Sequence, residues 1–181
     1  MTVATAQGPR TERTGVVTFK GNPLTLIGPE IRVGEHAPEC QVLSQDLAPV
    51  KWSDGNGKIR VISVVPSLDT PVCDAQTRRF NDEASRLPGG VEVWTISMDL
   101  PFAQRRWCGA AGIERVKVFS DHRDASFGCA YGCLIKELRV LTRAIFVVDQ
   151  AEIVRHVEYV REVTTHPQYD AALAVVRSLV K

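Results

Sequence analysis

The sequence of 181 residues lacks long apolar runs, and those that it has, such as residues 144–148, are far too short to span a bilayer. It also lacks a strong charge of either sign, because 22 Lys and Arg residues against 21 Asp and Glu residues give a formal net charge of +1. This balance does not favour nucleic acid or an anionic membrane surface as a partner. The sequence therefore predicts a protein with no nucleic-acid partner and no membrane association.

Export and metal-binding signals are missing as well. Residues 1–14 are polar and contain no apolar segment of the kind that a secretory signal requires. We expect a flexible tail over residues 1–15, a single domain over residues 16–181 and a cytoplasmic location. The absence of a CxxC motif disfavours a dithiol oxidoreductase or a zinc ribbon.

Strand and helix patterns alternate through the rest of the chain. Residues 16–28 hold two β-rich runs around a turn signal, which predicts a hairpin. Residues 59–132 alternate strand and helix patterns, which implies parallel pairing with right-handed crossovers. Residues 144–180 add two strands and a closing helix with one apolar face. This order predicts an α/β, thioredoxin-like fold: a mixed central sheet flanked by helices, with an N-terminal β-hairpin.

The stretch PSLDTPVC, residues 66–73, places a cysteine where a strand has ended and a helix begins. With Pro71 as the first helical residue, Thr70 becomes the N-cap and Cys73 lies in the first turn. Backbone N–H groups in that turn have no partner within the helix, and the helix dipole adds positive charge. This position favours a thiolate, and the prolines hold the loop rigid.

A stabilised thiolate does not by itself make a fast enzyme. Lowering a thiol pKa from about 8.5 to about 6 raises the thiolate fraction at pH 7 roughly 30-fold. Reduced nucleophilicity removes roughly 10- to 18-fold of that gain, so about two- to threefold remains. Donors aimed at the developing charge of a substrate must supply the rest, and Thr70, nearby N–H groups and a cation from elsewhere are candidates. On these residues alone, Cys73 is equally compatible with an inert buried cysteine.

A family resemblance favours the catalytic alternative. PSLDTPVC matches the PxxxTxxC signature of the peroxiredoxins through Pro66, Thr70 and Cys73. Five further segments resemble one branch, the bacterial thiol peroxidases, which are atypical two-cysteine peroxiredoxins: residues 19–26, 77–81, 96–112, 143–149 and 164–176. DLPFAQRRWC, within the third of these, is quite specific, and the resemblance covers nearly the whole chain after residue 15.

The resemblance implies a role for each candidate site residue. Cys73 would attack a peroxide oxygen and become a sulfenic acid, and Cys108 would resolve it as an intramolecular disulfide. Arg143 corresponds to the active-site arginine, Thr70 to a threonine that hydrogen-bonds the sulfur and the peroxide, and Pro66 would shield the thiolate from water. The family implies a homodimer without metal, haem or other cofactor. It implies a protein that reduces hydrogen peroxide and organic hydroperoxides and is recycled by thioredoxin.

Alternatives remain open at this stage. The chain could instead be a peroxide-sensing thiol protein that relays oxidation to a partner, or a scaffold with inert cysteines. Arg78 is a second candidate cation near Cys73. The aromatic residues Phe80, Phe102 and Trp107 suit either a pocket wall or a dimer surface.

Three further cysteines depart from the family pattern: Cys40, Cys129 and Cys133. We interpret them as small apolar residues in core or half-buried positions, and residues 133–141 as a connector. A disulfide requires that the Cα atoms of its two cysteines lie within about 7 Å of each other. A closed pocket that protects a thiolate at one helix start disfavours so short a distance to a cysteine of another helix. We therefore expect local unwinding around Cys73, Cys108 or both before they join.

Overall fold

The computed structural model describes residues 11–180, within which lie ten β-strands and four α-helices. The strands are β1 (Glu12–Phe19), β2 (Asn22–Ile27), β3 (Gln41–Leu43), β4 (Pro49–Lys51), β5 (Ile59–Val64), β6 (Val91–Ser97), β7 (Lys117–Ser120), β8 (Leu134–Ile135), β9 (Ala144–Val148) and β10 (Val154–Tyr159). The helices are α1 (Pro71–Ala84), α2 (Pro101–Ala111), α3 (Ser126–Ala130) and α4 (Tyr169–Leu179). None of the helices in this part of the chain is long and apolar enough to cross a membrane.

Seven strands form the central sheet, in the order β10-β9-β5-β6-β7-β3-β4. β5, β6 and β7 are parallel, as their crossovers through α1 and α2 require. β9 pairs with β5 in the antiparallel sense, with Val64 opposite Ala144. The predicted mixed sheet with flanking helices is confirmed, and the end of β5 lies beside the start of β9.

A smaller sheet contains the predicted hairpin, with the strand order β1-β2-β8. β1 begins at Glu12, so the last residues assigned to the predicted tail (1–15) are part of this strand, while residues 1–10 lie outside the described residues. β8 falls in the segment interpreted as a connector, 133–141, and pairs with β2. The interpretation of residues 133–141 as a connector was incomplete. A strand of two residues is too short to show the alternation of apolar and polar residues by which strands are predicted.

The helices begin and end with the signals that the sequence carries. Pro occupies the first turn of both α1 and α2, and Gly112 ends α2 in the left-handed region with φ +67°. In α1, Phe80 is buried, whereas Ala75 is exposed. The polar side chains of Gln76 and Thr77 lie on the inner face instead.

Each face of the central sheet buries its own apolar cluster, because successive strand residues point to opposite sides. Ile62 of β5 belongs to the cluster around Trp94, whereas Val61 belongs to the cluster that includes Cys73 and Cys108. The fold therefore places both predicted redox cysteines in one apolar layer.

Candidate active site

Cys73 is the third residue of α1, in the turn that the sequence predicts. Thr70 is the N-cap, with an extended backbone, and Pro71 follows as the first helical residue. The Thr70 carbonyl accepts the first intrahelical bond, from Asp74 N–H at 2.9 Å. The preceding N–H groups, including that of Cys73, have no acceptor within the helix and form the positive end of its dipole. The Cys73 side chain is fully buried at this end.

Arg143 contacts the Cys73 sulfur directly, with Nη2 3.4 Å from Sγ. It immediately precedes β9, and the pairing of β9 with β5 places it beside the loop that follows β5. Its other nitrogens are also bound: Nη1 donates to Gln76 Oε1 at 2.7 Å and Nε to the Val163 carbonyl at 2.9 Å. Because Arg143 is only 2% exposed, these bonds fix the orientation of its guanidinium.

Gln76 is a further candidate site residue, which the sequence analysis did not predict. Its Nε2 donates to Ser63 Oγ at 2.8 Å, so the side chain links Arg143 to the central strand β5. The available signal was its spacing of three residues from Cys73, which places both on one face of a helix. Its polar side chain does not fit the apolar pattern that marks the inner face of a helix.

The loop between β5 and α1 is held by the carboxylate of Asp99. Ser67 Oγ donates to Oδ1 at 2.6 Å, and Leu68 N–H donates to Oδ2 at 2.8 Å. Thr70 Oγ1 donates back to the Ser67 carbonyl at 2.9 Å. The hydroxyl proton of Thr70 is therefore directed into the loop, and its oxygen lone pairs remain available as acceptors.

A cavity of about 300 Å³ opens beside the Cys73 turn. The predicted residues Pro66, Thr70 and Arg143 all line it. Most of the other lining residues are apolar: Phe19, Pro71, Val72, Ile135, Leu138, Val140 and Val163, with Thr164 as a further polar one. β8 and the segment after it thus form one wall of this cavity.

Cys108 lies in α2 and is 7% exposed. Gln45 Nε2 donates to its sulfur at 3.3 Å. Burial raises the pKa of the Cys108 thiol, and the bond from Gln45 opposes that rise without cancelling it. Cys73 and Cys108 are both free thiols in the structure.

Arg78, the second candidate cation, binds groups other than the Cys73 sulfur. Its Nε donates to Asp74 at 2.8 Å, and its Nη1 donates to the Ala111 carbonyl at 3.1 Å, at the end of α2. The guanidinium also lies 5.8 Å from the ring centroid of Trp107. Arg78 therefore ties the start of α1 to the end of α2.

Comparison with known proteins finds matches over most of the chain. A family model described as Redoxin matches residues 32–173. Thiol peroxidases of Halalkalibacterium halodurans and Bacillus subtilis are 58% and 55% identical to the chain, covering 90% and 91% of it and 97% and 98% of their own lengths. The chain belongs to the thiol peroxidases of the Redoxin family.

Solved structures support the family's thioredoxin-like fold for this thiol peroxidase sequence. A peroxiredoxin-like protein from Aquifex aeolicus is similar with a TM-score of 0.85 and 42% identity, covering 95% of this chain and 99% of its own. A thiol peroxidase from Chromobacterium violaceum shares the fold with a TM-score of 0.78 at 21% identity, over 90% of this chain and 95% of its own. The predicted fold class is confirmed.

The three further cysteines lie where the sequence places them, in or against the core. Cys133 is fully buried, and Cys40 and Cys129 are half-buried against the same cluster. Burial raises the pKa of the Cys40 and Cys133 thiols. Among the described residues, no group of His, Cys, Asp and Glu side chains is placed to hold a metal.

The aromatic residues left open by the sequence divide between core and surface. Phe80 is fully buried and Trp107 is half-buried, so both belong to the interior of the helix layer. Phe102 is 64% exposed, which places it on the molecular surface.

Proposed function

We propose that this chain reduces hydrogen peroxide and organic hydroperoxides through the thiolate of Cys73. The observation that carries the proposal is the 3.4 Å contact between Arg143 Nη2 and Cys73 Sγ, at a helix start beside a cavity. The thiol peroxidase relatives support the reaction class. Arg143 and the helix N-terminus together stabilise negative charge on the sulfur and on an oxygen bound next to it.

In the first step the thiolate attacks one peroxide oxygen. The S–O bond forms as the O–O bond breaks, so the sulfur becomes a sulfenic acid and the other oxygen leaves as alkoxide or hydroxide, which takes up a proton. Arg143 stabilises the leaving oxygen. Thr70 Oγ1, whose proton is directed at Ser67, accepts a hydrogen bond from the peroxide O–H. Pro66 covers the sulfur against water.

The composition of the cavity wall favours organic hydroperoxides as substrates. Its lining is predominantly apolar, and the few polar lining side chains include Thr70 and Arg143, at the end where the peroxide group would react. An alkyl or aryl group therefore gains from burial there, whereas hydrogen peroxide has no such group.

Cys108 then condenses with the sulfenic acid, which forms the S–S bond and releases water. Each cysteine lies within a helix, so we expect the start of α1, the end of α2 or both to unwind first. Opening α2 also exposes Cys108 to water and relieves the burial that raises its thiol pKa. The resolving thiol thus becomes reactive as its helix opens.

Thioredoxin is the proposed reductant, because a dithiol supplies the two electrons that restore both cysteines by thiol–disulfide exchange. A homodimer is the proposed assembly, and the exposed apolar side chains of Leu100 and Phe102 at the start of α2 suit a contact between two copies. We expect Phe102→Ser to shift sedimentation from dimer to monomer; a dimer unaffected by the change places the interface elsewhere.

Peroxide consumption with thioredoxin, its reductase and NADPH tests the function. We expect turnover by the unmodified chain, none by Cys73→Ser, and a single turnover without recycling by Cys108→Ser. Arg143→Met should lower the rate of the first oxidation by about 10²- to 10³-fold, as loss of a donor to a developing oxyanion does. Oxidation without thioredoxin-linked turnover in the unmodified chain would favour a peroxide sensor instead.

A further inference from the structure

Glu162, which the reaction does not involve directly, binds the tip of the N-terminal hairpin. Its Oε2 accepts hydrogen bonds from Thr18 Oγ1 at 2.8 Å and Gly21 N–H at 3.0 Å. Its Oε1 accepts from Lys20 N–H at 3.0 Å and from Thr164, through N–H at 3.2 Å and Oγ1 at 2.7 Å. One carboxylate therefore joins the hairpin to the segment that follows β10.

The hairpin turn is shaped to receive this carboxylate. Lys20 and Gly21 connect β1 and β2 with φ of +50° and +80°. A two-residue hairpin turn of type I′ requires positive φ at both of its central residues. Their N–H groups both donate to the same carboxylate. Partial burial raises the pKa of Glu162, but the hydrogen bonds from Gly21, Thr164, Thr18 and Lys20 outweigh it and lower that pKa to about 2. The carboxylate is consequently ionised at neutral pH.

Backbone pairing continues the same connection. Thr18 N–H donates to the Arg161 carbonyl at 2.6 Å, and Val163 N–H donates to the Thr18 carbonyl at 2.9 Å. The end of β1 and residues 161–164 are thus held together on both sides of Glu162. A change at Glu162 loosens the turn, while these two backbone bonds keep the strand end attached.

Both of the joined segments contribute walls to the cavity beside Cys73. Phe19, which directly precedes the turn, lines it from the hairpin, and Val163 and Thr164 line it from the other segment. Phe19 is 36% exposed, and it is the residue directly before the turn whose N–H groups Glu162 binds. The position of Phe19 therefore depends on the contacts made by Glu162.

We propose that Glu162 is a positioning residue that sets the preference for organic hydroperoxides by holding Phe19 against the cavity. This inference rests on the proposed peroxidase function and deepens it. An apolar substituent of a peroxide packs on Phe19 during the attack by Cys73, and hydrogen peroxide makes no such contact. Glu162 thus acts on the selectivity between the two peroxides.

The test compares second-order rate constants for oxidation of the reduced chain by cumene hydroperoxide and by hydrogen peroxide. Glu162→Gln keeps the shape of the side chain but replaces one carboxylate oxygen with an NH₂ group. This NH₂ group would face N–H and O–H donors, to which it cannot act as an acceptor. We expect the cumene-to-hydrogen-peroxide ratio to fall about five- to tenfold, within the range that an apolar pocket contact contributes to selectivity. Phe19→Ala should lower the ratio similarly, and the double variant should add little, because both changes remove one interaction.

Glu158→Gln is the matched control, because that carboxylate also accepts a backbone N–H, from Gln168, and does not line the cavity. Its ratio should equal that of the unmodified chain. Thr18→Val removes one of the hydrogen bonds to Glu162 and should also lower the ratio. This variant provides the test if Glu162→Gln does not fold. An unchanged ratio, an equal loss with both peroxides, or additive effects in the double variant would overturn the inference. Failure of the unmodified chain to reduce either peroxide would instead overturn the proposed function, and this inference with it.

Discussion

Gln76 Oε1 accepts a hydrogen bond of 2.7 Å from Arg143 Nη1, on the guanidinium whose Nη2 contacts the Cys73 sulfur. The amide nitrogen of Gln76 is in turn bound to Ser63 of β5. The guanidinium at the Cys73 sulfur is therefore anchored through α1 to β5, a central strand of the sheet. Such anchoring keeps the guanidinium aligned without reorganisation when charge develops on a leaving oxygen.

Gln76→Leu should lower the rate of Cys73 oxidation by hydrogen peroxide on the order of 10- to 100-fold, because a displaced guanidinium misaligns the reacting groups. Stopped-flow measurement of the first oxidation gives this rate. Gln150→Leu, at an exposed position after β9, is the control and should leave the rate unaffected. Equal rates in the Gln76 variant and the unmodified chain would show that the anchor is dispensable.

The link from Arg78 to the Ala111 carbonyl should restrain the unwinding that precedes the disulfide. Exposed contacts of this kind contribute up to about 1 kcal/mol, so Arg78→Ala should speed disulfide formation about two- to fivefold. Arg86→Ala is the control, since Arg86 is also exposed and pairs with Glu83 near the end of α1 that is remote from Cys73. Slower or unchanged disulfide formation would contradict the restraint.

Hydrogen exchange tests the unwinding itself. We expect residues 66–80, 102–112 or both to lose protection in the oxidised chain relative to the reduced one, because the disulfide draws the cysteines out of their helices. Unchanged protection in both segments would reject unwinding.

Asp121 should make stability depend on pH. Burial raises the pKa of this carboxyl from 3.8 to about 7, although the N–H groups of Gly128 and Phe127 oppose the rise. Between these two values the folded state holds the proton more tightly than the unfolded state, so stability falls as the pH rises. The loss is on the order of 4 kcal/mol between pH 4 and pH 8. Urea unfolding across this range gives the free energy of unfolding of the unmodified chain and of Asp121→Asn. The free energy of the unmodified chain should fall relative to that of the variant as the pH rises. A difference between the two that does not change with pH would contradict the prediction.

The buried ion pair of Arg60 and Glu152 should be a principal determinant of stability on the other face of the sheet. The Arg60 side chain is fully buried, lies 4.1 Å from the ring centroid of Trp52, and also donates to the Trp52 carbonyl. Glu152→Ala leaves this cation without its carboxylate, which costs about 3 kcal/mol. The exposed pair of Arg105 and Asp46 provides the control, since Asp46→Ala should cost under about 1 kcal/mol. Similar midpoints of denaturation for the two variants would contradict the assignment.

Local signals were sufficient to place Cys73 in the first turn of α1. Pro71, Thr70 and Cys73 lie within four positions of one another, and helix-start chemistry depends on near neighbours. The contact of Arg143 with Cys73 spans 70 positions, and no period or propensity predicts it. Only the family resemblance pointed to Arg143, and the pairing of β9 with β5 is what brings it there.

Other elements lacked a readable signal. β4 and β8 have three and two residues, too few for an alternating pattern. Gln76 and Thr77 break the apolar periodicity of α1 because their polar groups are satisfied inside the fold, by Ser63 and by the Cys73 carbonyl. The cavity wall from Phe19 depends on a hairpin turn held by a residue more than 140 positions away.

The most direct test of the central claim identifies the sulfur that peroxide oxidises first. Reduced Cys108→Ser protein is treated with one equivalent of hydrogen peroxide and a sulfenic-acid trap such as dimedone, and its peptides are analysed by mass spectrometry. The account predicts a single trapped adduct on Cys73, formed far more slowly when Arg143 is replaced by Met. An adduct on Cys40, Cys129 or Cys133 with Cys73 unmodified would contradict it.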